Sequence, residues 1–425
     1  MQLRLLEKQF ADKMAGVLSP SRAIQTPELL KGRADALDGI RKAWYQPGRQ
    51  IFIHGFRGVG KTSLAQTAAF QQQSSDKDPI LLTCDGESTF YSIVHAMLAR
   101  AFPSDPRTIK EKIASGLSGK FASLSIDART SVERARPPQP TSLNEAVDVC
   151  DFIAGLYSQN PVIVIDEFDQ ITDSKEQGLF ANFVKQIGDR RIPLRLVFCG
   201  IGDSIEKFFG AHESTYRYFY TVKLERLAWE PRYEIVQTAT EALEIDIDDN
   251  TITRIVRVSD GFPHFIHLVC EKLFWTAYEN CQEGSLHATP DHYEIAVGKA
   301  VEEIESHLKL PYEKATRKYS NDCEEVLWAV ADDHQLQRPS REILESYKRI
   351  MESRGRKPLT QKQFYTRMNS MKSPTHGEIL IGTRAGWYEF REKMMRGYAR
   401  LRATQEKVDL AAESPLQERR FSSGQ

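Results

Sequence analysis

Apolar residues recur along this chain in short unbroken runs set between helix-period segments. Ile51, Phe52 and Ile53 form the first run, residues 79–84 (PILLTC) the second, residues 162–165 (VIVI) the third and residues 194–199 (LRLVFC) the fourth. Runs this short and this apolar predict buried strands. Between them the apolar spacing changes to 3 and 4. Leu37, Ile40, Ala43 and Trp44 predict a helix within residues 26–44, and Ile93, Met97 and Ala101 share one face of residues 89–102. Residues 143–158 and 180–187 continue the helical pattern, as does the stretch after residue 62. Strand and helix alternate, so the pattern predicts an α/β layered domain with a mostly parallel sheet.

Residues 1–26 are mixed and predict a loosely packed leading helix. Residues 103–142 break the rhythm with Pro103, Pro106 and the run RPPQP at 136–140. Phe121, Leu124, Ile126 and Val132 alternate between these prolines, which predicts a helix followed by an exposed hairpin or loop. Such an insertion is either decoration or a contact for a partner or DNA. Further on, residues 229–243, 250–258 and 265–278 predict helices, the last opened by Gly261-Phe262-Pro263-His264. Residues 279–320 are expected to be polar helix and linker. Residues 323–331, 341–350 and 361–371 predict three more helices, and 378–382 with 387–390 a two-stranded wing. Three helices and a wing predict a winged helix-turn-helix domain. Residues 404–425 have no apolar period and are expected to be a disordered tail.

At 425 residues the chain is too long for one core and suits two or three domains. It is 41% hydrophobic and 27% charged, the balance of a folded protein. The net charge of −1 selects no partner, but its distribution is uneven. Residues 338–402 hold 16 Lys and Arg against 6 Asp and Glu, a net of +10. A localised basic face is the footprint of phosphate binding, and Gln361, Gln363, Tyr365, Arg367 and Asn369 fall on the candidate recognition helix. The other reading is a protein-binding winged helix with solvated Lys and Arg. The six cysteines stand far apart without a C-x-x-C pair and are expected to be buried thiols. The first 14 residues, MQLRLLEKQFADKM, lack the long apolar core and small-residue cleavage site of a secretory signal, and no stretch of 18 apolar residues exists. The expected location is cytoplasmic, with no membrane partner.

The chemistry is concentrated after the first strand. Residues 55–62 read GFRGVGKT, which is G-x-x-x-x-G-K-[ST] with a strand before it and a helix after it. Gly55, Gly58 and Gly60 allow backbone conformations that bring N–H groups close to phosphates, with Phe56, Arg57 and Val59 between them. The following helix adds its positive N-terminal dipole near Lys61, Thr62 and Ser63. Lys61 is expected to reach the β- and γ-phosphates of ATP, and Thr62 to supply a hydroxyl to Mg²⁺. The third strand ends in Asp166-Glu167. Asp166 can bind Mg²⁺ through water, and Glu167 can polarise the attacking water. The fourth strand ends in Gly200-Ile201-Gly202-Asp203-Ser204, where Asp203 or Ser204 can sense the γ-phosphate.

The order of these parts resembles an AAA+ ATPase, most of all the origin-recognition and replication-initiator branch and related bacterial ATPases. The carrying residues are LKGR at 30–33, GFRGVGKT, VIVIDEFD, FCGIGDS, Arg217 ahead of VKLERL, and GFPHFIH, and the resemblance spans residues 29–278. It implies that Gly32 and Arg33 line the adenine side, that Asp203 stands at the first sensor and that Arg217 is an arginine finger for a neighbouring subunit. His264 stands where a second-sensor Arg is usual. Gly261-Phe262-Pro263 is also similar to the G-x-P of STAND ATPases, whose lid Pro contacts nucleotide. Neutral His264 and acidic Asp203 at sensor positions favour a slow switch. The implied organisation is a lead-in at 1–26, an AAA+ core at 27–227 with the 103–142 insertion, a helical lid at 228–305, a winged-helix domain at 306–403 and a tail at 404–425. The implied function is a homo-oligomeric ATPase switch that engages DNA or an effector protein through residues 338–402. A STAND-like component of an anti-phage system with a separate effector, and a transposition or plasmid-maintenance ATPase, are the alternatives.

Overall fold

The computed structural model describes residues 7–20, 22–73, 77–101, 139–202, 205, 216–281, 285–317 and 322–410. Nearly all of the expected insertion, Asp203, Ser204 and most of the expected tail therefore lie outside the described residues. The chain divides into two units. One comprises Ala23–Phe56 and Lys61–Glu225; the other comprises Met1–Arg22, Arg57–Gly60 and Arg226–Gln425. Helix α1 (Glu7–Val17) belongs to the latter.

The nucleotide-motif unit runs α2 (Ala34–Ala43), β1 (Gln50–Gly55), α3 (Lys61–Gln72), β2 (Ile80–Thr83), α4 (Phe90–Ala101), α5 (Leu143–Gly155), β3 (Val162–Asp166), α6 (Ser174–Asp189), β4 (Arg195–Ile201) and β5 (Phe219–Leu224). Its strands form one sheet in the order β2-β3-β4-β1-β5, with every neighbouring pair parallel. Ile53 lies opposite Cys199 and Val222, and Ile165 opposite Phe198. The central strands are apolar on both faces because a parallel sheet joined by helical crossovers is covered on both sides. Ile51, Phe52, Ile53, Ile163, Ile165 and Phe198 are accordingly buried. Phe90, Phe168, Phe180, Phe183, Phe198 and Phe219 meet edge-to-face in this core. Two buried glutamines satisfy strand ends: Gln50 Oε1 accepts Leu196 N–H, and Gln73 Oε1 accepts Val162 N–H. Because the strands are parallel, the carboxyl ends of β1, β3 and β4 share one edge of the sheet. That edge carries the motifs.

The other unit holds α1, α7 (Trp229–Leu243), β6 (Ile245–Ile247), α8 (Asp249–Val258), α9 (Pro263–Glu279), β7 (Leu286–Ala288), α10 (Pro290–Glu303) and α11 (Ser306–Thr316). It continues with α12 (Asp322–Ala331), β8 (Arg338–Pro339), α13 (Ser340–Ser353), α14 (Gln361–Ser370), β9 (Leu380–Arg384), β10 (Trp387–Phe390) and α15 (Met395–Gln405). Helix α1 is not loosely packed. Phe10 is fully buried, stacked on Tyr278 at 4.4 Å and edge-on to Trp275 at 5.3 Å. Of residues 279–320, expected as polar helix and linker, the described ones are largely packed elements. They form β7, which pairs with β6, and two helices that bury Tyr293, Val297, Leu308 and Tyr312. Thr289 caps α10 in a reciprocal pair with His292, with Pro290 at the first helical position. The two strands expected at 378–382 and 387–390 are β9 and β10, antiparallel, with β8 as a third strand on β10. Helix α15 extends through Gln405, past the expected start of the tail, and the described chain continues to residue 410.

Candidate nucleotide site

The loop linking β1 to α3 takes the backbone its sequence requires. Gly58 and Gly60 sit at φ 75° and 95°, a region that a side chain makes costly. Val59 is buried, while Phe56 and Arg57 are half-buried. Lys61 opens α3 and is nearly buried. Its ammonium donates to the carbonyls of Gly55 at 3.2 Å and Phe56 at 2.8 Å. Those bonds hold the charge over the loop, within a turn of the helix N-terminus. Ser63 Oγ accepts Ile24 N–H at 3.1 Å, and Thr67 Oγ1 donates to Ile24 carbonyl, so this face of α3 anchors the segment before α2.

The two halves of the motif meet. Thr62 Oγ1 donates to Asp166 Oδ2 at 2.6 Å, although 104 residues separate them. Parallel strands β1, β4 and β3 bring both to the same sheet edge. A hydroxyl and a carboxylate side by side are hard oxygen donors that fit Mg²⁺, which is usually held by one or two carboxylates together with phosphates. No group of three or more His, Cys, Asp or Glu suited to a metal exists among the described residues, so a protein-only cage is not what they build. Glu167 is exposed and stands in the left-handed region at φ 53°, ψ 36°, with its N–H donated to Asp166 Oδ1 at 2.9 Å. Such a conformation costs a non-glycine residue about 1–3 kcal/mol and concentrates at functional sites. It turns the Glu167 side chain out of the strand direction while Asp166 remains at its end.

Two residues of this edge were not singled out in the sequence. Asp169 Oδ1 accepts Ile201 N–H at 2.8 Å, and the Nδ1 of buried His54 lies 3.1 Å from the Gly202 carbonyl. Together they fix the end of β4 immediately before Asp203. Asp169 is the last letter of DEFD, and His54 the last residue before Gly55, so their positions in the motifs were the available signal.

The remaining predicted residues are spread wider. Gly32 turns the chain at φ 66°, and Arg33 Nη2 donates to the Glu225 carbonyl at 2.7 Å, beyond β5. Burial pulls the Arg33 guanidinium down to about 10, against the opposing pull of Glu225. Arg217 is exposed just before β5; it lies over the Tyr218 ring at 4.9 Å and donates to its hydroxyl at 2.9 Å. Pro263 and His264 belong to the other unit, where Pro263 starts α9 and His264 Nδ1 lies 3.2 Å from the Pro20 carbonyl.

Residues 46–209 match the family model described as an AAA domain. The nucleotide-motif unit has the P-loop AAA+ fold. Among solved structures, the chain is similar to a Walker-type ATPase of Pyrococcus abyssi at 14% identity and a TM-score of 0.50, over 89% of this chain and 99% of that one. It also matches Cdc6p from Pyrobaculum aerophilum at 15% identity and a TM-score of 0.45, over 93% and 98% of the two chains. The Orc1 protein of Aeropyrum pernix, solved in complex with DNA, matches at 13% identity and a TM-score of 0.43, over 89% and 94%. No curated protein matches the chain. At these identities the likeness is one of fold. No helix among the described residues is long and apolar enough to cross a membrane.

Outside the AAA+ unit, the basic excess of residues 338–402 is not one exposed face. Arg338, Arg396 and Arg400 are buried. Arg349 pairs with Asp332, Arg354 and Arg356 with Glu325, Arg391 with Glu378, Lys393 with Glu389 and Arg402 with Glu324. Much of the charge counted in the sequence is therefore neutralised inside the unit. Exposed cations outside these pairs are spread over several elements: Arg341 on α13, Lys357 after it, Lys362 on α14, Lys372 over the Tyr388 ring at 5.2 Å, and Arg384 over the Trp387 ring at 3.6 Å. Gln361, Gln363 and Asn369 are exposed on α14, and Tyr365 and Arg367 half-buried.

Proposed function

We propose that this protein is an ATP-binding and ATP-hydrolysing AAA+ switch that assembles with other copies and engages DNA or a partner protein through a winged-helix domain within residues 306–403. The observation that carries this reading is the junction of Thr62 and Asp166 at 2.6 Å, flanked by Lys61 on the loop carbonyls and by Glu167 in a left-handed conformation.

In this reading the N–H groups of residues 55–63 cradle the phosphates, and Lys61 exchanges its carbonyl partners for phosphate oxygens. Thr62 and Asp166 hold Mg²⁺, whose chemistry there is to neutralise charge on those oxygens. Glu167 takes the proton of the attacking water on its carboxylate. Asp203, next in sequence after Gly202, acts as first sensor, and Gly32 and Arg33 line the adenine side. The contacts of Arg217 with Tyr218 leave an exposed guanidinium just before β5, which supports a finger offered to a neighbouring copy. Pro263 and His264 belong to the lid, and the commitment of His264 to Pro20 favours slow turnover over a fast motor. Lys362, Arg367, Lys372 and Arg384 meet nucleic-acid phosphate from α14 and the wing.

The test is phosphate release from ATP by the purified full chain, with Mg²⁺ and with the metal chelated, and again with Asp166→Asn. Turnover that needs the metal and falls at least tenfold in the variant supports the reading. No turnover above background in the presence of metal overturns hydrolysis.

A further inference from the structure

The unit that contains the lid segment has a cavity of about 140 Å³ between α8, α10 and α15, lined by Arg254, Arg257, Tyr293, Arg400 and Asp409. Its charges do not balance. Arg400 is buried, and its guanidinium donates to the carbonyls of Ala331 at 3.0 Å, Arg257 at 3.0 Å and Asp333 at 2.8 Å. Carbonyls satisfy its hydrogen bonds without cancelling its charge. The nearest carboxylate is Asp260, with Oδ1 at 3.4 Å, and that group already serves Arg226 at 2.7 Å and Arg396 at 2.9 Å. The Asp333 carboxylate is taken by His334 and the Gln335 N–H, and Asp332 by Arg349. Arg254 pairs with Glu294 and lies over the Tyr293 ring at 4.2 Å. Arg257 is exposed and has no side-chain partner among the described residues.

Five guanidinium groups thus face three carboxylates, Asp260, Glu294 and Asp409. Beside the cavity, burial pulls the Arg396 guanidinium down to about 10, with Asp260 opposing the pull and Arg400 and Arg226 adding to it. Arg400 shares the one Asp260 carboxylate with Arg226 and Arg396, so a second anion beside these cations is favourable. Planar guanidinium forks match the oxygens of phosphate. The size also selects: a cavity of about 150 Å³ holds a guest the size of benzene, so this one admits a single phosphate group but not a nucleotide.

We infer that the cavity between α8, α10 and α15 is a binding site for one phosphate group, held by Arg254, Arg257 and Arg400 against the Tyr293 wall, with the Asp409 carboxylate on the lining opposing it. The phosphate comes either from free orthophosphate or from a phosphate monoester whose remainder stays in solvent. The site is independent of ATP chemistry at the loop between β1 and α3.

The experiment titrates orthophosphate and, separately, AMP into the full chain by calorimetry at low ionic strength, with Lys61→Ala present throughout to weaken phosphate binding at the loop. Saturable binding of about one equivalent is expected. Arg257→Ala, whose exposed side chain leaves folding intact, should weaken it about tenfold, the worth of one charge-assisted hydrogen bond. Asp409→Asn should tighten it several-fold, because the lining then lacks a carboxylate that repels the anion. Binding of orthophosphate identifies the free anion as sufficient; binding of AMP alone identifies a monoester. No saturable heat with either up to millimolar concentrations, or an affinity that Arg257→Ala and Asp409→Asn leave unchanged, overturns the site.

Discussion

Replacing Asp260 by Asn should be among the most damaging conservative changes in this chain. The carboxylate has 0% exposure and closes the turn between α8 and α9 at φ 51°. It receives Arg226 at 2.7 Å, Arg396 at 2.9 and 3.1 Å and Arg400 at 3.4 Å. Burial pushes its pKa up, but the surrounding guanidinium groups of Arg226, Arg396, Arg400 and Arg232 outweigh that and pull it down to about 2. Against the usual 3.8 this amounts to about 2–3 kcal/mol of stability at neutral pH. Asn keeps the shape but leaves buried cations uncompensated, so the loss should be about 3–5 kcal/mol. For a unit of some 200 residues that is roughly 6–15 °C in the midpoint of its thermal transition. The sign with pH is fixed by a folded pKa below the unfolded one. The contribution is fully present above about pH 4 and is lost as pH falls through about 2. Calorimetric melts of wild type and Asp260→Asn should therefore lie far apart at pH 7 and converge toward pH 2. A variant within about 1 kcal/mol of wild type at pH 7, or a gap that does not narrow in acid, would refute the reasoning.

Three further outcomes follow from the site and its surroundings. Arg217→Ala should abolish most turnover while sparing ATP affinity, and mixing it with Lys61→Ala should restore activity if the finger acts between copies; no recovery, with concentration-independent wild-type turnover, means that Arg217 acts within its own chain or only packs. Asp169→Ala should lower kcat about tenfold with little change in ATP affinity, since the end of β4 loses its anchor; equal kcat would remove Asp169 from the machinery. Duplex DNA affinity should fall steeply with salt, and Lys362→Glu with Lys372→Glu should weaken binding to all sequences; salt-independent or absent binding at low ionic strength moves the domain to protein recognition.

The parts that the sequence disclosed are those in which one local rule acts alone. Strands β1, β3 and β4 are apolar on both faces, and the loop from Gly55 to Thr62 can be read from its glycines. The edge strand β5 lacks the continuous apolar run of the central strands, since Tyr220, Thr221 and Lys223 are partly or fully exposed, and its last three residues stood out only as the start of VKLERL. Helix α15 was missed for a different reason. Its buried face includes Arg396 and Arg400, which read as surface residues until Asp260, 136 residues earlier from Arg396, is brought against them. The same long-range pairing misled the charge count, since the sum over residues 338–402 cannot tell a neutralised arginine from a free one. In the site, Lys61, Thr62, Asp166 and Glu167 were legible from motif spacing. The anchoring by Asp169 and His54 was not, because a side chain bonded to a distant backbone leaves no period.

The proposed mechanism divides the work between Lys61, which holds phosphate charge, and Glu167, which acts on water. Its most direct test measures ATP affinity and phosphate release on Lys61→Ala and Glu167→Gln together. The account predicts that Lys61→Ala loses both, whereas Glu167→Gln binds ATP as wild type does and releases at least a hundredfold less phosphate, about 3 kcal/mol in the barrier. Phosphate release by Glu167→Gln at the wild-type rate would contradict it.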